Sequence, residues 1–212
     1  MNWNDIRKIH AFLPQTNRSW HQHSNGGGWV QNTASVSDTA YISETALVYG
    51  HARVSENVRV YETARVYGNA WIYENAHVYG YARVFGYARV YGNTIIYENA
   101  HVSGTAWIYG YALVHGNVHI SGNAIVSGTA FIYGNARVYG HTYVYGHAHV
   151  YGHAHVYGTA WIYENAHVYG YARVCGTARI SENAHVYGHA RVCGTARIYG
   201  HTHVCGTTHV SE

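Results

Sequence analysis

From Thr33 to Glu212 the chain alternates small or branched apolar residues with polar and aromatic ones, and the alternation restarts every six residues. Asn75-Ala76-His77-Val78-Tyr79-Gly80 is representative, and thirty such hexads follow one another without insertion or deletion. The fourth place is Val or Ile in all thirty. The second is Ala in twenty-four, Val at Val58 and Val118, and Thr at Thr94, Thr142, Thr202 and Thr208. Places two and four lie two residues apart, so an extended strand turns both to one side and the third place to the other. The sixth place is Gly in twenty-one hexads and Asp or Glu in nine, and Gly is the residue that lets a chain bend sharply. Each hexad therefore predicts a short strand followed by a bend.

A hairpin meander would favour Asn-Gly turns, whereas the bends here are mostly Gly-Asn, Gly-Thr and Glu-Asn. A second period, of eighteen residues, points instead to a coil. Trp71 and Trp107 lie thirty-six apart; His149, His167, His185 and His203 lie eighteen apart, as do Cys175 and Cys193. With three hexads per coil, like residues stack. The prediction is an all-β, three-sided parallel β-helix of about ten 18-residue coils, roughly 45–50 Å long at the inter-strand spacing. Three Ala-sized and three Val or Ile side chains per coil fill its bore. Tyr holds the fifth place in seventeen hexads, which predicts ring stacks along the corners.

Residues 1–32 break the pattern and are expected to form an N-terminal cap on a solenoid of residues 33–212. Trp3, Ile6, Ile9, Phe12 and Leu13 recur at near-helical spacing, and Pro14 ends the segment. The expected device is an amphipathic helix lying over the first coil and covering its open backbone edge. The other end stays in repeat register to Glu212, which predicts end-to-end association between last coils through His203, His209 and Glu212, making the protein a homo-oligomer.

The phrases "ISENAHV" and "IYENAHV" resemble the hexapeptide-repeat superfamily, whose best-known members are left-handed β-helix acyltransferases. "NGGGWVQNTASVSDTAYIS", Asn25 to Ser43, is similar to the opening of poorly characterised bacterial and phage hexapeptide-repeat proteins, in which a Gly-Gly-aromatic motif precedes the first coil. The resemblance spans residues 25–212 and implies left-handed coiling. For function it leaves both acyltransferase-like and non-enzymatic members open.

Composition narrows the partners. Only 11% of residues are charged, against 23 Tyr, 24 Gly and 19 His, a profile unlike that of disordered chains. Net charge is +3 with His neutral, so surface charge should rise steeply as pH falls through the imidazole range. No apolar run approaches the ~20 residues that cross a bilayer, and the N-terminus lacks a secretory core, so no membrane insertion is expected. Three cysteines, Cys175, Cys193 and Cys205, with no zinc-type pair, argue for reduced thiols and a cytoplasmic setting, with a phage-encoded or virion-associated protein as the alternative.

Several ladders carry candidate chemistry. His149, His167, His185 and His203 fall on third places of one face, where stacked imidazoles would share a divalent ion with His147 and His201 nearby. Parallel side chains converge poorly, so incidental Zn or Ni capture is expected and no resident cofactor. The trimeric carbonic anhydrases of the same superfamily use a five-residue His–His spacing that this chain lacks. Ten of twelve arginines also occupy third places. Arg173 and Arg191 stack on one face and Arg179 and Arg197 on another, offering a polyanion (nucleic acid or glycan) a row of cations; alternatively they lie over corner tyrosines beside Glu164 and Glu182. Trp71, Trp107 and Trp161 share a face and suggest a protein or glycan contact or a trimer interface. An acyltransferase would need a general-base His and a cleft, and the register here leaves no extruded loop. The leading expectation is a non-enzymatic rod for self-assembly or partner binding, ahead of acyl transfer at subunit interfaces and of polyanion binding.

Overall fold

A computed structural model describes residues 1–211. It comprises one helix, α1 (Trp3–Ile9), and, among the described residues, thirty-two strands from β1 (Trp20–Gln22) and β2 (Trp29–Gln31) to β32 (His209–Ser211). From β3 (Ser35–Val36) onward each strand begins on a third place and a fourth place. The strands form three sheets, and from β2 onward sequence-consecutive strands enter different ones. Face 1 runs through the strands that begin at Leu47, Arg65 and Arg83 to His209. Face 2 runs from Tyr41 to His203, and face 3 from Ser35 to Arg197. Beyond the antiparallel pair β1–β2, pairing is parallel with a shift of eighteen: Val78 registers with Val60 on one side and Ile96 on the other. The chain is a parallel β-solenoid of about ten turns.

The bore contains what the hexad places there. Ala76, Val78, Ala82 and Val84 have no exposed surface, nor do their equivalents through most of the rod. Tyr79 stays at a corner. Backbone amides donate to carbonyls one coil on, as from Tyr79 N to Ile96 O (3.0 Å) and from Asn75 N to Gly92 O (3.1 Å). That ladder fixes the outward third places one rung apart.

The sixth place needs glycine for two reasons. Gly116 has φ +87°, and a Cβ there would lie 2.5 Å from the carbonyl oxygen of Gly134. Six glutamates nonetheless adopt φ of 56–62°. Glu164 and Glu182 gain from it, since Glu164 Oε2 accepts from Glu182 N (2.6 Å) and Glu182 Oε2 from Gly200 N (2.9 Å).

The N-terminal segment closes the rod differently from the expectation. Helix α1, capped by the Asn2 side chain on Asp5 N, lies against the outer side of face 1. There Trp3, Ile6, Leu13 and Trp20 pack on Trp29 and Leu47. The open edges are closed by extended chain. β1 pairs antiparallel with β2, which itself sits in repeat register, Trp29 over Leu47 and Val30 over Val48. Gly28 N donates to Ile42 O (2.8 Å), and Ile42 N donates to Asn25 O (3.0 Å). A helix has already spent its backbone groups internally, so strand and turn segments with free backbone groups satisfy these edges instead.

Candidate functional site

Face 3 carries the tryptophans. Trp71 and Trp107 are about two-fifths exposed, and the Arg89 guanidinium lies between them, 5.7 Å from one ring and 4.9 Å from the other. Two to three coils on, Trp161 lies tilted by 31° against Tyr143 at 4.5 Å and carries Arg179 at 5.4 Å. Arg197 is in register with Arg179. The expected trio and both arginines therefore share one flat face. The arginines with ring contacts lie over Trp and Phe (Arg65 over Phe12 at 4.8 Å), not over corner tyrosines. An indole is the larger, more electron-rich platform.

Face 2 holds the histidine ladder. Phe131, His149, His167, His185 and His203 form one column of rings with centroids 4.6–5.0 Å apart and planes within 12° of parallel. The stack Tyr133–Tyr151–Tyr169–Tyr187 runs beside it, with tyrosine rings edge-on to the imidazoles at about 6 Å. Burial, then neighbouring imidazoles, lowers the pKa of His149, His167 and His185 below the ordinary value. Burial, reinforced by its two flanking phenols, pushes Tyr151 up to about 12. Face-to-face stacking points the ring nitrogens side by side, and among the described residues no group of three His, Cys, Asp or Glu converges on a metal position. His147, counted as an auxiliary ligand, is hydrogen-bonded to Thr129 (2.6 Å).

Face 1 is cationic. From Arg65 to His209 every third place on it is Arg or His. Two shallow, contiguous grooves of about 400 and about 500 Å³ run along it between the third-place line and the neighbouring first-place line, sharing His153 and His155. A larger depression, about 630 Å³, opens on face 2 near Tyr41, Arg59 and Tyr61, away from the ladders. Arg137, Arg173 and Arg191 are exposed, and none makes an ion pair or cation–π contact among the described residues. His155 lies in register between Arg137 and Arg173; burial, then both guanidiniums, lowers its pKa. The sequence places Arg65, Arg83, Arg173 and Arg191 in stacks and His101, His119, His155 and His209 on one face, without showing directly that the two sets form one continuous line. The eighteen-residue period carries the signal when third places are read one face at a time.

Two further histidines were missed. His10 is fully buried, its Nε2 donating to Thr45 O (2.8 Å), and burial lowers its pKa. His23 bridges Asn25 and Ser37 O (3.1 Å). Both satisfy backbone carbonyls at the first corners. His203 and His209, assigned to self-association, are exposed in the last described coil; Glu212 lies outside the described residues.

The thiol expectation is corrected. Cys175 and Cys193 hold fifth places on successive coils, Cα atoms 4.5 Å apart, and are joined by a disulfide; Cys205 lies at another corner, free and exposed. The eighteen-residue spacing already stacks these two thiols; the odd count could not say whether they join. The thiol-based ground for a cytoplasmic setting therefore falls. No helix among the described residues is long and apolar enough to cross a membrane.

Repeat, coil and flat faces together define a β-solenoid repeat protein. The family model described as YdcK beta solenoid repeat is similar to this chain over residues 64–80 and 130–146, each nearly one coil. No curated protein matches the chain.

Proposed function

We propose that this protein is a non-enzymatic β-solenoid that works by presenting fixed ladders of side chains to a partner. The observation that carries the reading is the unbroken register: outward positions recur one rung apart along straight faces. Exposed Trp71 and Trp107 and the unpaired arginines of face 1 are groups that gain from being covered. A second copy of the chain is one such partner, with His203 and His209 assigned to that contact. Left-handed coiling and membership in the hexapeptide-repeat superfamily complete the reading and rest on the sequence resemblance.

The competing activity is acyl transfer, and acetyl-CoA separates the two. Isothermal titration of the full chain with acetyl-CoA is expected to give no heat beyond dilution. Saturable binding in the micromolar range, lost on substitution of one histidine, would sink the binding-rod reading.

A further inference from the structure

Face 1 differs from the other two in how its charge is distributed. Glu44, Glu62 and Glu98 stand at the corner that precedes it in the N-terminal half. From Gly116 to Gly206, every sixth place at both of its bounding corners is glycine. Glu164 and Glu182 lie at the opposite corner, between faces 3 and 2. The C-terminal half of face 1 thus carries exposed His119, Arg137, Arg173 and Arg191 and half-buried His155 in one line, with no carboxylate beside it among the described residues. Five rungs at the inter-strand spacing span about 19 Å. Like charges repeated at that spacing repel one another unless a counter-charge lies along them.

The first-place line forms the rim of the same trough. His153, Tyr171 and His189 stack at 4.8 and 5.0 Å with planes within 6°, and Tyr171 is 55% exposed. Asn135 precedes this short stack and Thr207 follows it, so its two outer ring faces border small polar residues. Below it, the Asn117 amide donates to Asn135 (3.2 Å). A cationic floor one side chain wide, with aromatic rings and amides on its rim, is the pairing used to hold single strands: cations track the phosphates, and π-faces and amides meet the bases. The rings within the stack are already in contact, so bases meet only its outer faces and exposed edges. Sulfated glycans would match the charges but bring no π-faces to the rings and no base edges to the amides.

We infer that the trough between the lines Asn117–His189 and His119–Arg191 binds a single-stranded polynucleotide along the rod axis. This rests on the binding-rod reading above. An anion lying over Arg137 and Arg173 removes the repulsion that disfavours protonation of His155, so binding takes up protons and strengthens as pH falls. His119, His153 and His189 face the same trough; Tyr139, Tyr157 and Tyr171 are the other titratable groups beside it.

The test is fluorescence anisotropy of a labelled twenty-residue oligo(dT) with the full chain at pH 6.0 and 8.0. The expected result is binding that weakens with salt on a logarithmic slope of about −2 at pH 8, from three arginines, and a steeper slope at pH 6, where the bound anion draws a proton onto His155. The double variant Arg173→Gln/Arg191→Gln should lose at least about tenfold at either pH. Arg179→Gln/Arg197→Gln on face 3 removes the same charge beside Glu182 and should lose less than about twofold. Equal losses in the two doubles would reduce the effect to net charge and overturn the site. Tighter binding of a heparin fragment, or equal binding of an abasic oligomer, would overturn the polynucleotide in favour of a general polyanion. Absence of any binding would end this inference and leave the rod reading, which stands or falls on the acetyl-CoA titration.

Discussion

Thr94 and Thr142 occupy the bore position that alanine holds in most hexads, and both are fully buried. Their hydroxyls differ. Thr94 Oγ1 donates to Tyr91 O (2.7 Å), whereas Thr142 Oγ1 has no partner. Burial of an unpaired hydroxyl costs about 1–3 kcal/mol, while a made hydrogen bond contributes about 0.5–1.5 kcal/mol. Val58 and Val118 show that the bore accepts the isosteric replacement. Thr142→Val is therefore expected to stabilise by about 1 kcal/mol and Thr94→Val to destabilise by a similar amount, read from urea midpoints at constant slope. Equal effects from the two would show that the hydroxyls are equally satisfied. Both threonines were assigned to the bore by the hexad alone, but which hydroxyl reaches a carbonyl depends on side-chain torsions that no sequence pattern encodes.

At the scale of one element, the imidazole column on face 2 couples stability to pH. His149, His167 and His185 bind protons less readily folded than unfolded, because burial and neighbouring imidazoles disfavour the charge. The unfolded chain then holds more protons as pH drops below the ordinary imidazole value, and stability falls. Melting temperature is expected to decline from pH 7.5 to pH 5. The variant His167→Phe/His185→Phe, which extends the Phe131 ring column, should flatten that decline. A residual slope belongs to His149, which the variant keeps, and to His10, His77, His101 and His155, whose pKa values are also lowered. An unchanged slope in the double variant would show that the column does not contribute. The column's members and their parallel run were legible from their eighteen-residue spacing; the edge-on packing of Tyr151, Tyr169 and Tyr187 against the imidazoles was not.

The whole molecule is a one-dimensional stack in which each coil contacts its neighbours, so a perturbation should stay local. The disulfide Cys175–Cys193 ties two successive coils and closes a loop of eighteen residues, worth about 3 kcal/mol in the chain-entropy account. Cys175→Ser/Cys193→Ser uses the residue already present in that corner at Ser103, Ser121 and Ser211. Hydrogen exchange is expected to quicken in the coils around residues 173–194 while amides near residues 60–100 keep their protection; uniform loss of protection would mark a rod that unfolds as one unit. The sequence by itself determined the strand, the bend, the three faces and the list of residues each face displays. Period two within a hexad and period eighteen along the chain follow from backbone sterics and from stacking like on like, both properties of a single dimension. Only the tertiary structure decided that strand β1 rather than the helix closes face 1, that two thiols join, that Arg89 lies between two indoles, and that a trough runs beside the arginines of face 1. Each of these depends on the direction a side chain or an edge takes toward a neighbour, and a linear pattern of residue types carries no direction.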